Sequence, residues 1–198
     1  MKKLLGAFIM TTLLTMGANA SDLTKLPQPD KSGNATLIQA LENRQSIKEF
    51  ADKDLDNKTL SSILWAAYGV NRTDGHRVIP TAMNQKDLSI YVFKKDGIFL
   101  YNADENGLHP ITNKDNRALF MTQDYMSNVP VILVYTGSTE DYAAMHAGSA
   151  YQNVGLYAAA YGLANVVRGF FDKADVEKVL NLPKGQRVII SQAVGFPK

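Results

Sequence analysis

Arg44, Ser46 and Lys48 stand at two-residue spacing within the run Arg44-Gln45-Ser46-Ile47-Lys48-Glu49-Phe50. Side chains alternate along extended backbone, so this spacing puts two cations and a hydroxyl on one face and turns Ile47 toward apolar packing. Arg contributes a planar fork of donors, Lys a mobile point charge and Ser a small hydroxyl, a mixture that suits a phosphate or an electron-rich ring edge. The same pattern also describes a solvated strand edge guarded by charge. A second stretch, Pro80-Thr81-Ala82-Met83-Asn84-Gln85, joins a basic run from Arg72 to Arg77 to a β-rich segment. Its small residues let backbone come close to a flat ligand, and Asn84 and Gln85 can both donate and accept hydrogen bonds.

Other chemistries lack their residues. His76, His109 and His146 are scattered singly without metal-ligand spacing, so they read as surface or hydrogen-bonded histidines and no metal is expected. Ser149 falls inside a predicted helix rather than at a strand-to-helix elbow, which argues against a serine hydrolase. No Gly-x-Gly-x-x-Gly follows a strand and no Gly-Lys-Ser/Thr loop occurs, so dinucleotide and triphosphate folds lack their fingerprint. The pairs Asp104-Glu105 and Glu140-Asp141 read as solvated charge. With no cysteine there is no disulfide, no thiolate metal site and no Cys nucleophile. A chain with few side-chain catalysts and an anion cradle is what is expected when a cofactor carries the chemistry, and no catalytic protein residue is assigned.

The elements that must position these residues follow a leader. Met1-Lys2-Lys3 is basic, Leu4 to Met16 is mainly apolar and Ala18-Asn19-Ala20 fits a small-x-small cleavage pattern, so residues 1–20 read as a bacterial signal peptide cleaved after Ala20. The apolar run is shorter than the roughly 20 residues of a membrane span, and the expectation is a periplasmic or secreted protein with no stable membrane span after cleavage. Cleavage removes two lysines and no acid, taking the net charge from +2 to 0. A neutral mature chain argues against nucleic acid as a partner.

Residues 21–33 read as an extended N-terminal segment and residues 34–198 as one domain. Leu37, Ile38 and Leu41 predict a short helix leading into Arg44. Leu60, Ile63, Leu64, Ala67 and Tyr68 predict an amphipathic helix capped by Asp56 or Asn57 and stopped by Gly69, with Trp65 as surface cover. Leu88–Phe93 and Ile98–Tyr101 flank Lys95-Asp96-Gly97 as a hairpin, and 102–116 reads as polar and turn-rich. A helix is expected over 118–126 and a strand over 131–135. A long small-residue helix, buried on nearly every face, is expected from Tyr142 to Leu163, opened by a Ser138–Asp141 capping pair. Asp172 caps a final helix to Leu180, and Arg187–Phe196 is the last strand.

These motifs, in this order, resemble the FMN-dependent nitroreductase family. The resemblance is carried by Arg44–Phe50, by the Pro80–Gln85 loop, by Gln152-Asn153 through Gly162-Leu163, by Val167-Arg168-Gly169-Phe170-Phe171-Asp172, and by the closing Val194-Gly195-Phe196-Pro197. It implies an α+β homodimer with a central, mainly antiparallel sheet flanked by helices. By that likeness Arg44, Gln45, Ser46 and Lys48 hold the FMN phosphate, ribityl chain and pyrimidine edge. Pro80, Thr81, Ala82, Met83 and Asn84 reach a flavin at the subunit interface, and the backbone of Val167, Arg168 and Gly169 lies by the isoalloxazine. The implied activity is ping-pong electron transfer from NAD(P)H or another donor through FMN to a small-molecule acceptor such as a nitroaromatic or quinone. Two other readings share the fold: a flavin-dependent dehydrogenase of a peptide or small heterocycle, and a non-catalytic ligand-binding protein.

Overall fold

The computed structural model describes residues 23–138 and 142–198. The leader expected over 1–20 lies outside the described residues, as do Ser21 and Asp22 of the extended segment. The strands are β1 (Thr24–Lys25), β2 (Leu88–Lys94), β3 (Gly97–Asn102), β4 (Gly107–Thr112), β5 (Val131–Ser138), β6 (Ala164–Arg168) and β7 (Gln186–Gly195). They form one sheet in the order β1-β4-β3-β2-β5-β7-β6, with every pairing antiparallel. The helices are α1 (Leu37–Asn43), α2 (Asn57–Tyr68), α3 (Ala143–Tyr161) and α4 (Lys173–Leu180).

Alternation along the central strands builds a core on each face of the sheet. Leu88, Ile90 and Val92 of β2, with Val131, Leu133 and Tyr135 of β5, join Leu60, Ile63 and Leu64 of α2 and Ala147, Ala150 and Val154 of α3. Tyr91 and Phe93, with Ile132 and Val134, face the other way onto Phe120, Met126 and Val176 of α4. Phe93 and Phe120 meet edge to face at 5.1 Å. The strand 131–135 reads as an unbroken apolar run because both of its faces are covered.

Local chemistry sets the helix ends. Asp56 caps α2 by accepting from the Thr59 amide, and Asp172 caps α4 through the amides of Ala174 and Asp175. Gly69 follows α2 with φ −64°, so it is not a left-handed stop. A Cβ there would lie 2.2 Å from Trp65 Cδ1, and the packed indole is what requires glycine. Trp65 itself is half-buried, with Lys31 Nζ 4.4 Å from its ring.

Several expectations change, and one strand was not foreseen. The turn-rich stretch 102–116 contains β4, and the N-terminal segment adds β1 beside it. Instead of a helix over 118–126 there are two single 3₁₀ turns, Arg117–Phe120 and Asp124–Met126. Here the Phe120 carbonyl accepts from the Arg168 guanidinium at 2.8 Å, so tertiary hydrogen bonds replace the helical ladder. Residues 164–168 form the strand β6. Finally, α3 begins after Tyr142, with no side-chain cap, and Asp141 of the expected capping pair lies outside the described residues. Nor is α3 buried on nearly every face: Met145 and Gln152 are exposed, and the nearest atoms to a Cβ added at Gly148 would be those of Tyr151 on the same helix, at 3.7 Å and beyond.

Candidate functional site

The outer strand β6 leaves one edge of the sheet open, and the Arg44–Phe50 run lies along it. Thr36 and Gln39 form a capping box that starts α1, and α1 ends with Arg44 already in extended backbone. The Ile47 amide donates to the Asn165 carbonyl at 2.9 Å, Phe50 bridges Pro197, and the Lys198 amide donates to the Glu49 carbonyl. Ile47 packs against the second core while Arg44, Gln45, Ser46 and Lys48 are exposed. Among the described residues the side chains of Arg44, Gln45 and Ser46 have no hydrogen-bond or ion-pair partner. Their donors are therefore free for a ligand. Lys48 Nζ and the Arg168 guanidinium each lie 5.5 Å from the Tyr125 ring. Lys48, Lys198, Tyr125 and Asn128, with the carboxylates of Glu49 and Asp124, border a cavity of about 590 Å³.

The N–H and C=O of one strand residue point to the same side, and the next residue points to the other. Because the Asn165 carbonyl meets Ile47, Asn165 and Val167 turn their main-chain groups to the open edge. The Arg168 carbonyl turns inward and accepts from Ser191 Oγ at 3.0 Å. The Arg168 side chain is buried and bonds the Phe120 carbonyl, Thr122 Oγ1, Gln123 Oε1 and the Phe170 carbonyl. Of Val167-Arg168-Gly169, then, the Val167 main chain faces the edge, while the Arg168 carbonyl turns inward and its guanidinium holds the 120–123 segment.

A buried polar chain stiffens this edge from beneath. Tyr135 Oη donates to Gln192 Oε1 at 2.7 Å, and Gln192 Nε2 donates to Asn165 Oδ1 at 3.1 Å and to the Tyr151 carbonyl at 3.2 Å. Burial raises the Tyr135 phenol far above its ordinary range, so it remains a neutral donor. The helix side is equally close. A Cβ on Gly155 would lie 3.6 Å from both Arg44 Cγ and Asn165 Oδ1, so the small residue lets α3 approach the run.

The second stretch sits elsewhere. Ala82–Asn84 is a single 3₁₀ turn in which Met83 and Asn84 have φ of 51° and 55°, and Met83 is 76% exposed. The Ala82 amide donates to His146 Nε2 at 2.9 Å, and His146 Nδ1 lies 2.5 Å from Asp87 Oδ1. His146 and Gly155 are nine residues apart on α3, about 13 Å along the axis. Pro80, Thr81, Ala82, Met83 and Asn84 thus meet α3 at one point and Arg44, Gln45, Ser46 and Lys48 at another, well apart along the helix. His146 is hydrogen-bonded, as its isolated position in the sequence suggested, but its partners, and the parts played by Asp87, Asn165, Gln192 and Tyr125, escaped the sequence reading because the groups they meet are dozens of residues away and no short motif links them.

Fold and edge together define an α+β protein presenting exposed cations, a hydroxyl and outward main-chain groups along one open sheet edge. Residues 41–196 match the nitroreductase family. The chain belongs to that family of FMN-dependent oxidoreductases, which favours an enzyme over a binding module. It is 28% identical over 167 residues to a protein of Methanocaldococcus jannaschii named as a nitroreductase, covering 74% of this chain and 84% of the relative. A crystal structure described as a nitroreductase from Ralstonia eutropha superposes with a TM-score of 0.83 at 29% identity, covering 89% of this chain and 90% of that one. Another, from Desulfovibrio desulfuricans and solved in complex with FMN, shares the fold at a TM-score of 0.60 and 22% identity, over 82% of this chain and 87% of that one.

Proposed function

We propose that this protein binds FMN along the open edge of β6 and passes electrons from a reduced nicotinamide or similar donor to a nitroaromatic, quinone or related acceptor. The observation that carries this reading is the row of unpartnered side chains at Arg44, Gln45 and Ser46, continued by exposed Lys48, beside the outward-facing main chain of Val167. When bound, FMN supplies the electron transfer. Arg44 and Lys48 take the phosphate and the pyrimidine end, Gln45 and Ser46 the ribityl hydroxyls, and the backbone from Val167 to Gly169 the ring edge. Positive charge at the pyrimidine end favours the electron-rich form of the ring.

In this reading a second copy of the chain completes the site with its Pro80–Asn84 loop, which accounts for the separation of the two stretches within one chain. The apolar surface supports it. Leu37, Ile38 and Leu41 of α1 are 65%, 63% and 48% exposed, and Met83, Tyr142 and Met145 are exposed as well. Leu37, Ile38 and Leu41 lie on one face of α1, and neighbouring apolar side chains left open in this way support an interaction surface. Among the described residues no helix is long and apolar enough to cross a membrane. The leader-like composition of residues 1–20 supports export from a bacterial cytoplasm as part of the same reading.

The test is a visible absorption spectrum of residues 21–198 before and after FMN is added and the excess removed, with the mass in solution measured alongside. Near-stoichiometric retained flavin on a dimer is the expected result. A protein that stays colourless after loading would sink the proposal.

A further inference from the structure

We infer that Asp87 and His146 position the Pro80–Asn84 loop by fixing one tautomer of the imidazole, an inference that rests on the FMN reading for what the loop then holds. An amide N–H can only donate, so the 2.9 Å contact from Ala82 requires His146 Nε2 to be an acceptor. The proton of the neutral ring is then on Nδ1, where it is donated to Asp87 Oδ1. Asp87 thus selects the tautomer, and the tautomer selects the amide. His146 is 3% exposed, and the Tyr142 ring lies 6.4 Å from its own. Among the described residues Asp87 Oδ2 is buried without a hydrogen-bond partner, so there the imidazole carries this carboxylate's contact with the loop.

The loop needs such an anchor. Met83 and Asn84 are consecutive non-glycine residues in left-handed backbone, a state that persists where the surroundings impose it. The turn's own bonds, from the Asn84 amide to the Thr81 carbonyl and from the Gln85 amide to the Ala82 carbonyl, are local. The bond from Ala82 to His146 ties the turn to α3, and Asp87, one residue ahead of β2, ties α3 to the sheet. His146 is accordingly a positioning residue. It is not catalytic, because it reaches the ligand through the backbone it holds.

Nitrogen-15 spectra of the labelled protein show which imidazole nitrogen carries the proton, and amide exchange at Ala82 reports whether the loop is held. The expected result is a protonated Nδ1 and a bare Nε2 on His146 in the parent. His146→Ala should open Ala82 to exchange and weaken FMN on the order of tenfold. His146→Gln, whose side-chain oxygen can accept from Ala82, should recover most of both. A proton found on Nε2, unchanged Ala82 protection in His146→Ala, or a His146→Gln variant no better than His146→Ala would each overturn the inference. If His146→Ala does not fold, the parent's tautomer and His146→Gln decide. If the parent takes no FMN at all, the FMN reading fails separately, and exchange at Ala82 still shows whether His146 holds the loop.

Discussion

Replacing Arg44 with alanine should separate binding from stability more cleanly than any other change at the proposed site. The guanidinium is exposed and has no partner among the described residues, so its removal breaks no hydrogen bond or ion pair seen there. Its stem runs past Gly155, where a helix Cβ would be 3.6 Å from Cγ and 3.8 Å from Cδ, and truncation loses only this partial contact. Folding stability should therefore change by no more than about 0.5 kcal/mol, as for a surface substitution. Binding is different. A hydrogen bond from a guanidinium to a phosphate is charge-assisted and worth roughly 1.5–3 kcal/mol, about 10- to 150-fold in affinity. Because the head is exposed, the difference between parent and variant should also shrink between 0.1 M and 1 M salt, as the screening length falls from about 10 Å to about 3 Å. Titrating FMN by its fluorescence at both salt concentrations, with a thermal melt of each protein, measures all of this. Unchanged affinity would remove Arg44 from the site. An affinity loss matched by an equal loss of stability would show that the arginine holds the fold rather than the ligand.

Gln192→Leu should destabilise the protein by about 2–5 kcal/mol, because it strands Tyr135 Oη and Asn165 Oδ1 in a buried setting; urea unfolding with a loss under about 1 kcal/mol would contradict the polar chain. Gly137→Ala should lower stability by about 1–3 kcal/mol through overpacking, since the new Cβ would lie 2.4 Å from Ala143 Cβ and 2.9 Å from the Asp87 carbonyl. An unchanged melting temperature would refute that crowding. Acid should weaken the fold. The Thr59 amide holds the Asp56 carboxyl below its usual range, and hydrogen bonds from Arg77 and Arg117 do the same for Asp104 and Asp115. Each group is more acidic folded than unfolded, so its stabilisation is complete above the unfolded pKa near 4 and fades as pH drops through the lower folded value. Melting temperatures that held steady from pH 5 down to pH 2 would exclude this.

The parts of the fold that were legible in the sequence are those whose signals are local. α2 announced itself by apolar spacing and a cap, the β2–β3 hairpin by its turn residues, and α4 by Asp172. β4 was hidden because it is short, is flanked by polar turns and contains Pro110, a residue tolerated in strands at open edges; β1 covers it over two residues only. β6 was hidden by its length and by following directly on the apolar end of α3. Residues 118–126 have helical spacing, and Arg168, distant in sequence, overrides it. At the candidate site the alternation of Arg44, Ser46 and Lys48 against Ile47 could be read directly, since alternation is a property of neighbours. The pairing of His146 with Asp87 and Ala82 could not, since it links α3 to residues about sixty positions earlier.

The place of β7 has a kinetic consequence. It fills the slot between β5 and β6 and, among the described residues, is the one strand to which β6 pairs. Strands β2, β3 and β4 are neighbours in sequence and can zip together early, because short loops close quickly. The slot beside β5 must wait for residues 186–195, and until it fills β6 has nowhere to dock. The edge proposed to hold the cofactor is consequently the last part of the sheet to come into being during synthesis. A nascent or truncated chain that stops short of residue 186 has no such edge, so incomplete molecules should not compete with finished ones for the cofactor.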